Sequence, residues 1–165
     1  MGKSPLQWMI EPLRRYADFR GRAGRAEFWW WTLGYFALAI GLMLVMFSGF
    51  PWQIMFGDNI DPSTLDAEPF AGMGAAFWLG AVFYLIFVLG TLVPNLAVTV
   101  RRLHDRGMSG WWYAGVLILN FVPVLNMISF FGFIGILVIC ALPGQEGPNR
   151  WGPDPKDPAH ASVFT

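Results

Sequence analysis

An imidazole, a carboxylate and three guanidiniums crowd into Arg101-Arg102-Leu103-His104-Asp105-Arg106, the most reactive-looking stretch of the chain. Such a set could move protons or hold a metal ion. The spacing argues against both. Neighbouring residues on a helix point about 100° apart, so His104 and Asp105 cannot act as a dyad on one face. The other histidine is His160 and the single cysteine is Cys140, too few for an ordinary zinc site. Cys140 lies in an apolar run and reads as a small buried hydrophobe. No catalytic residue, cofactor or metal is assigned, and an enzyme is not expected.

The arginines have two better uses. Arg101, Arg102 and Arg106 could meet anionic headgroups, at about 1 kcal/mol for each basic residue near a membrane surface. Alternatively they form ion pairs, within the helix to Asp105 and outside it to Glu27 and Asp18. Glu27 stands beside Phe28 at the lip of an apolar run, where an unpaired carboxylate is costly. The expected partner is Arg101 or Arg102.

The elements that must position these groups are apolar helices. Hydrophobic residues make up 55% of the 165 residues and charged residues 13%, against about a quarter in ordinary soluble domains. A particle this small cannot bury that surplus, so lipid must cover it. The net charge is zero, and no nucleic-acid partner is expected. Phe28 to Phe50 carries no charge and opens on Phe28-Trp29-Trp30-Trp31, an aromatic belt ahead of a first span. Phe70 to Val100 is also uncharged, with the span itself near Ala75 to Thr99 and a kink expected at Pro94. Asn95 and Thr99 could satisfy freed carbonyls or face another helix. The helix should run on into the arginine stretch and stop at Gly107, with Ser109 as the next N-cap.

Trp111 to Leu142 is about 48 Å long as one helix, well beyond a bilayer core. Asn120-Phe121-Val122-Pro123-Val124-Leu125-Asn126 interrupts it, which favours a hairpin with a short first arm over one kinked helix. The fold class expected is an all-α integral membrane protein, a small polytopic bundle of four apolar helices, the third short. Three helices with a kinked last one is the alternative.

Residues 1–27 form an N-terminal segment with an amphipathic helix from about Pro12 onward, lying in the headgroup plane or against the protein's own loops. Gly21 to Glu27 reads as a polar bend. The N-terminal segment does not read as a cleaved signal peptide. The transmembrane domain covers 28–142, with a loop at 51–72 and another at 101–110. The first of these loops holds Asp58, Asp61, Asp66 and Glu68 and no basic residue. One short helix near Pro62 to Asp66 is expected there. The tail, 143–165, is rich in proline and glycine and irregular. Six basic residues precede the first span and three sit in 101–110, which puts the N-terminus and 101–110 in the cytoplasm and 51–72 outside. A hairpin returns the tail to the cytoplasm.

Three motifs resemble those of one family. They are Phe19-Arg20-Gly21-Arg22-Ala23-Gly24-Arg25-Ala26-Glu27-Phe28-Trp29-Trp30, then Arg101 to Trp112, then Pro143-Gly144-Gln145-Glu146-Gly147-Pro148-Asn149-Arg150-Trp151-Gly152-Pro153-Asp154-Pro155. The chain resembles, over roughly 8–156, the bacterial inner-membrane family known as domain of unknown function 805. Gly24 stands where that family often has a basic residue, and Trp151 where a tyrosine or phenylalanine is usual. The resemblance implies location in the inner membrane and topology; it implies no activity.

The candidate clasp is therefore Arg22, Arg25, Glu27, Arg101, Arg102, His104, Asp105, Arg106, Asn149 and Arg150, gathered on the cytoplasmic side. The leading function is a non-catalytic membrane module that binds anionic lipid or a membrane protein partner, which could be a second copy, through this arginine-rich clasp. The alternative is a component of a small-solute or lipid transporter or channel, since Pro94 and Pro123 break helices that could line a path. Against it, no span carries an acid, lysine, arginine or histidine at depth.

Overall fold

A computed structural model describes residues 3–52, 56 and 73–156. Most of 51–72, with the expected helix near Pro62, lies outside the described residues, as do 157–165. Among the described residues the fold is all-helical: α1 Pro5–Arg14, α2 Arg25–Ser48, α3 Ala75–Asp105, α4 Trp111–Asn120 and α5 Asn126–Ala141. Two of them, α2 and α3, are long and apolar enough to cross a membrane by length and composition.

α1 begins earlier than the sequence suggested, and Pro12 lies inside it. Ser4 and Gln7 close a capping box, with Pro5 at the first helical position. This start outweighs the one backbone bond that Pro12 forfeits in the last turns. α2 likewise starts three residues before Phe28, so Arg25 and Glu27 sit on its first turn rather than in a bend.

α3 passes through Pro94 without ending. Thr99 returns its hydroxyl to the Asn95 carbonyl at 2.7 Å, while the Asn95 amide oxygen accepts from Trp31 Nε1 at 2.6 Å. The helix stops at Gly107, whose φ of +71° allows the tight reversal. Met108 N–H bonds the Leu103 carbonyl and Gly107 N–H that of His104, both at 2.9 Å, the paired bonds of a Schellman ending. The N-cap of α4 is Gly110 rather than Ser109, although the Ser109 hydroxyl accepts from the Trp111 N–H at 3.4 Å. The interruption between Asn120 and Asn126 separates two helices, α4 and α5.

The chain divides into two compact units. In one, residues 35–90, Tyr35 stacks on Phe87 with centroids 5.1 Å apart. Gly80 lets the α3 backbone approach Met46, whose Cα would lie 2.6 Å from an added Cβ. Small residues at such crossings are how apolar helices pack without a hydrophobic driving force. The other unit, residues 1–34 and 91–165, has a core of Ala23, Phe28, Trp31, Val98, Ile136 and Cys140. Ser129 binds α5 to α4 through the Val116 carbonyl at 2.9 Å. Burial is inverted relative to a water-soluble protein. Leu44, Ile86 and Phe131 are more than 60% exposed, whereas Arg101 and Arg102 are wholly buried.

Candidate functional site

The carbonyls at the end of α3 also take partners from outside the helix. Three groups from two other parts of the chain supply them. Ala23 N–H bonds the Arg101 carbonyl at 3.0 Å, and Gln145 N–H bonds that of Asp105 at 2.8 Å. Asn149 Nδ2 donates to the His104 carbonyl at 2.9 Å. The N-terminal motif and the tail are thus both sewn to the same helix end.

Charge completes the joint. Asp105 accepts from Arg22 Nε at 2.9 Å through one oxygen and from Arg102 Nη1 through the other. Arg22 spends its two remaining nitrogens on the tail carbonyls of Gly147 and Gln145. Arg102 reaches the Cys140 carbonyl at 2.9 Å and also the carbonyls of Leu142 and Ala23. Arg101 points elsewhere. Its Nη2 lies 2.7 Å from Glu27, and its Nη1 caps the Asp18 and Arg15 carbonyls. Both members of the Glu27–Arg101 pair are buried, at 6% and 0% exposure.

His104 takes no part in these ion pairs. Its ring stacks on Trp151 at 3.7 Å with planes 4° apart, and Nδ1 faces the Gly21 carbonyl at 3.2 Å. Its side chain is thus directed away from the guanidiniums that hold its neighbour Asp105. Arg150 lies over the same indole at 4.8 Å and reaches toward the Gly107 carbonyl at 3.4 Å. Arg106 donates to the Pro143 carbonyl. Arg25 alone of the named set stays outside, exposed on the first turn of α2.

Several participants carry no signature that sequence reasoning used. Gly144 sits where an added Cβ would run into the Asp105 carboxylate, so the tail's closest approach needs glycine. Cys140 contributes a carbonyl rather than its thiol. Asp154 accepts from Lys156 N–H at 2.9 Å and Gly147 N–H at 3.1 Å, and these hold its carboxyl below the usual value. Asp18 pairs with Arg15 at 2.6 Å. Burial pushes the Asp18 carboxyl up, but that guanidinium and the Arg20 N–H prevail and leave it lowered. The Arg15–Asp18 spacing of three residues was the one signal available for this last pair.

Chemically the arrangement is a set of saturated acceptors. Both Asp105 oxygens and the Glu27 oxygen nearest Arg101 are occupied by buried guanidiniums.

The family described as "Protein of unknown function (DUF805)" matches residues 16–153. "Inner membrane protein YhaH" of Escherichia coli K12 is 32% identical over 155 residues, covering 92% of this chain and 98% of the relative. "Inner membrane protein YhaI" of the same strain is 31% identical over 151 residues, covering 92% and 97%. "Uncharacterized protein YiiR" is 31% identical over 171 residues, covering 92% and 90%. No solved structure matches. The chain belongs to the DUF805 family.

Proposed function

We propose that the protein is a non-catalytic module of the bacterial inner membrane. Its polytopic helical bundle is locked at the cytoplasmic end by the arginine clasp, and its exposed basic rim binds anionic lipid. The names of the YhaH and YhaI relatives support the location. One observation supports the rest: the clasp guanidiniums of Arg22, Arg101 and Arg102 are consumed by carboxylates and carbonyls of the chain itself. Among the described residues only the Nε groups of Arg101 and Arg106 and the Trp151 Nε1 stay buried without a partner, so most of the joint's polar capacity is spent within the chain. It is a structural lock.

Contact with headgroups then falls to basic residues on the outside. Arg14, Arg20 and Arg25 are exposed, beside the half-open apolar side chains of Ile10, Leu13, Tyr16 and Phe19. Apolar groups next to arginines suit the boundary between acyl chains and headgroups. Three arginines at about 1 kcal/mol each set an upper bound of roughly 100-fold on the preference for anionic lipid.

Native mass spectrometry of protein released from mixed phosphatidylglycerol and phosphatidylethanolamine discs tests this. The native chain should retain phosphatidylglycerol in excess, and the triple variant Arg14→Gln, Arg20→Gln, Arg25→Gln should lose most of that excess. Equal retention of both lipids by the native chain overturns the lipid assignment.

A further inference from the structure

Two guanidiniums of the clasp keep their charge unneutralised. Among the described residues, Arg106 donates only to the Pro143 carbonyl, and its Nε has no partner. Arg150 reaches the Gly107 carbonyl at 3.4 Å and lies over the Trp151 indole. Neither pairs with a carboxylate, whereas Arg22, Arg101 and Arg102 each do. Arg106 precedes the Gly107 turn and Arg150 reaches into it, and two residues further on stands Ser109, ahead of α4. The Ser109 hydroxyl accepts from the Trp111 N–H at 3.4 Å and keeps its own proton to give. No acidic residue occupies the first turn of α4, so the positive end of that helix is uncompensated as well.

An apolar groove of about 580 Å³ begins at Ser109 and runs along α4 to Leu119. Its walls follow from helical spacing. Trp111, Gly115 and Ile118 form one row at steps of four and three residues, and Trp112, Val116 and Leu119 form the next. Gly115 leaves the gap between them, since an added Cβ there meets nothing within 4 Å. Trp111 and Trp112 stand 80% and 65% exposed at the mouth. α4 has 10 residues and is about 15 Å long, which equals one leaflet of a hydrocarbon core about 30 Å thick. A single acyl chain covers that length.

Positive charge and a hydroxyl at one end, then hydrocarbon along one leaflet's depth, is the order of chemistry that complements a phospholipid. We propose that the groove holds one anionic phospholipid, with its phosphate at the Gly107–Ser109 turn beside Arg106 and Arg150 and one acyl chain laid over Gly115. The two unpaired guanidiniums select an anionic headgroup over a zwitterionic one, whose own ammonium already answers its phosphate. The inference rests on the membrane reading above but uses a site separate from the rim of Arg14, Arg20 and Arg25. An exposed rim gathers many lipids loosely; the groove takes one.

The test is native mass spectrometry of protein released from phosphatidylglycerol and phosphatidylethanolamine discs, activated until only the tightest lipid remains. The variant lacking the three rim arginines should still carry one phosphatidylglycerol. On that background Arg150→Gln, at an exposed position, should lower retention of phosphatidylglycerol relative to phosphatidylethanolamine about fivefold. Arg106→Gln with Arg150→Gln should lower it by up to about 30-fold. Gly115→Leu fills the gap, leaves both arginines in place and should abolish retention, whereas Gly135→Leu, which also enters open space, should not. A rim variant that carries no tight phosphatidylglycerol overturns the proposal, as does a Gly115→Leu chain that holds lipid as well as Gly135→Leu. Glycerol phosphate that displaces the lipid at equal concentration assigns the turn to phosphate alone and overturns the lipid. If instead the rim variant keeps all of the native excess and the Arg106, Arg150 variant loses it, the rim reading fails and the groove stands.

Discussion

Removing either half of the Glu27–Arg101 pair should leave a buried charge with no counterpart. Both side chains are nearly sealed, at 6% and 0% exposure, so water cannot take over the lost role. Breaking one partner of such a pair costs about 3–5 kcal/mol. Glu27→Gln keeps an oxygen within reach of Arg101 and should fall at the low end. Arg101→Met also strands the Asp18 and Arg15 carbonyls, adding about 1 kcal/mol for each. The double variant removes both charges, so it should cost less than the sum of the singles by about 1–3 kcal/mol. Equilibrium unfolding in mixed micelles, titrated with a denaturing detergent, measures all four corners of the cycle. The same cycle run on Glu27 and Arg102 is the control, since Arg102 bonds Asp105 and carbonyls and does not touch Glu27. A Glu27–Arg101 coupling below about 0.5 kcal/mol refutes the reasoning, as does a larger coupling in the control.

Gly144→Ala should destabilise by about 1–3 kcal/mol, because the new methyl would land on the Asp105 carboxylate, nearest the oxygen that Arg102 holds, and push it off that guanidinium. Gly147→Ala has open space and pays only for its φ of +72°, about 1 kcal/mol, so a Gly144 variant no worse than this one refutes the contact. The depressed Asp154 carboxyl contributes stability above the ordinary aspartate value of about 3.9, and that contribution disappears as pH falls through the lower folded value. In protein labelled with 15N-glycine, the Gly147 amide, which donates to this carboxylate, should therefore titrate with a midpoint below about 3.9. A midpoint at or above that value removes the pairing from the account.

How much of this could be read from residues alone depended on range. The Arg102–Asp105 pair and the stop at Gly107 follow from spacing within one helix, where three residues equal one turn. The choice between Arg101 and Arg102 for Glu27 could not be made that way. Adjacent arginines point about 100° apart, and only the packing of α2 against α3 decides which one faces the carboxylate. α1 was placed too late because Pro12 was weighed above the capping box of Ser4 and Gln7. The tail was the least legible part. Its contribution to the clasp is mostly backbone, the carbonyls of Gln145, Gly147 and Pro143 and the N–H of Gln145, and backbone groups are the same in every sequence.

The seating of the tail also sets an order of assembly. Synthesis runs at about 5–20 residues per second from the N-terminus, so α2 and α3 exist well before residues 143–154. Until that segment arrives, Arg22 has Asp105 but lacks its two carbonyls, and the Asp105 carbonyl lacks the Gln145 N–H. The helix end stays wet and open in the meantime. A chain interrupted between Ala141 and Gln145 would carry all five helices and still leave the Arg22 guanidinium without its two tail carbonyls. Closure of the clasp therefore waits for the segment that follows α5.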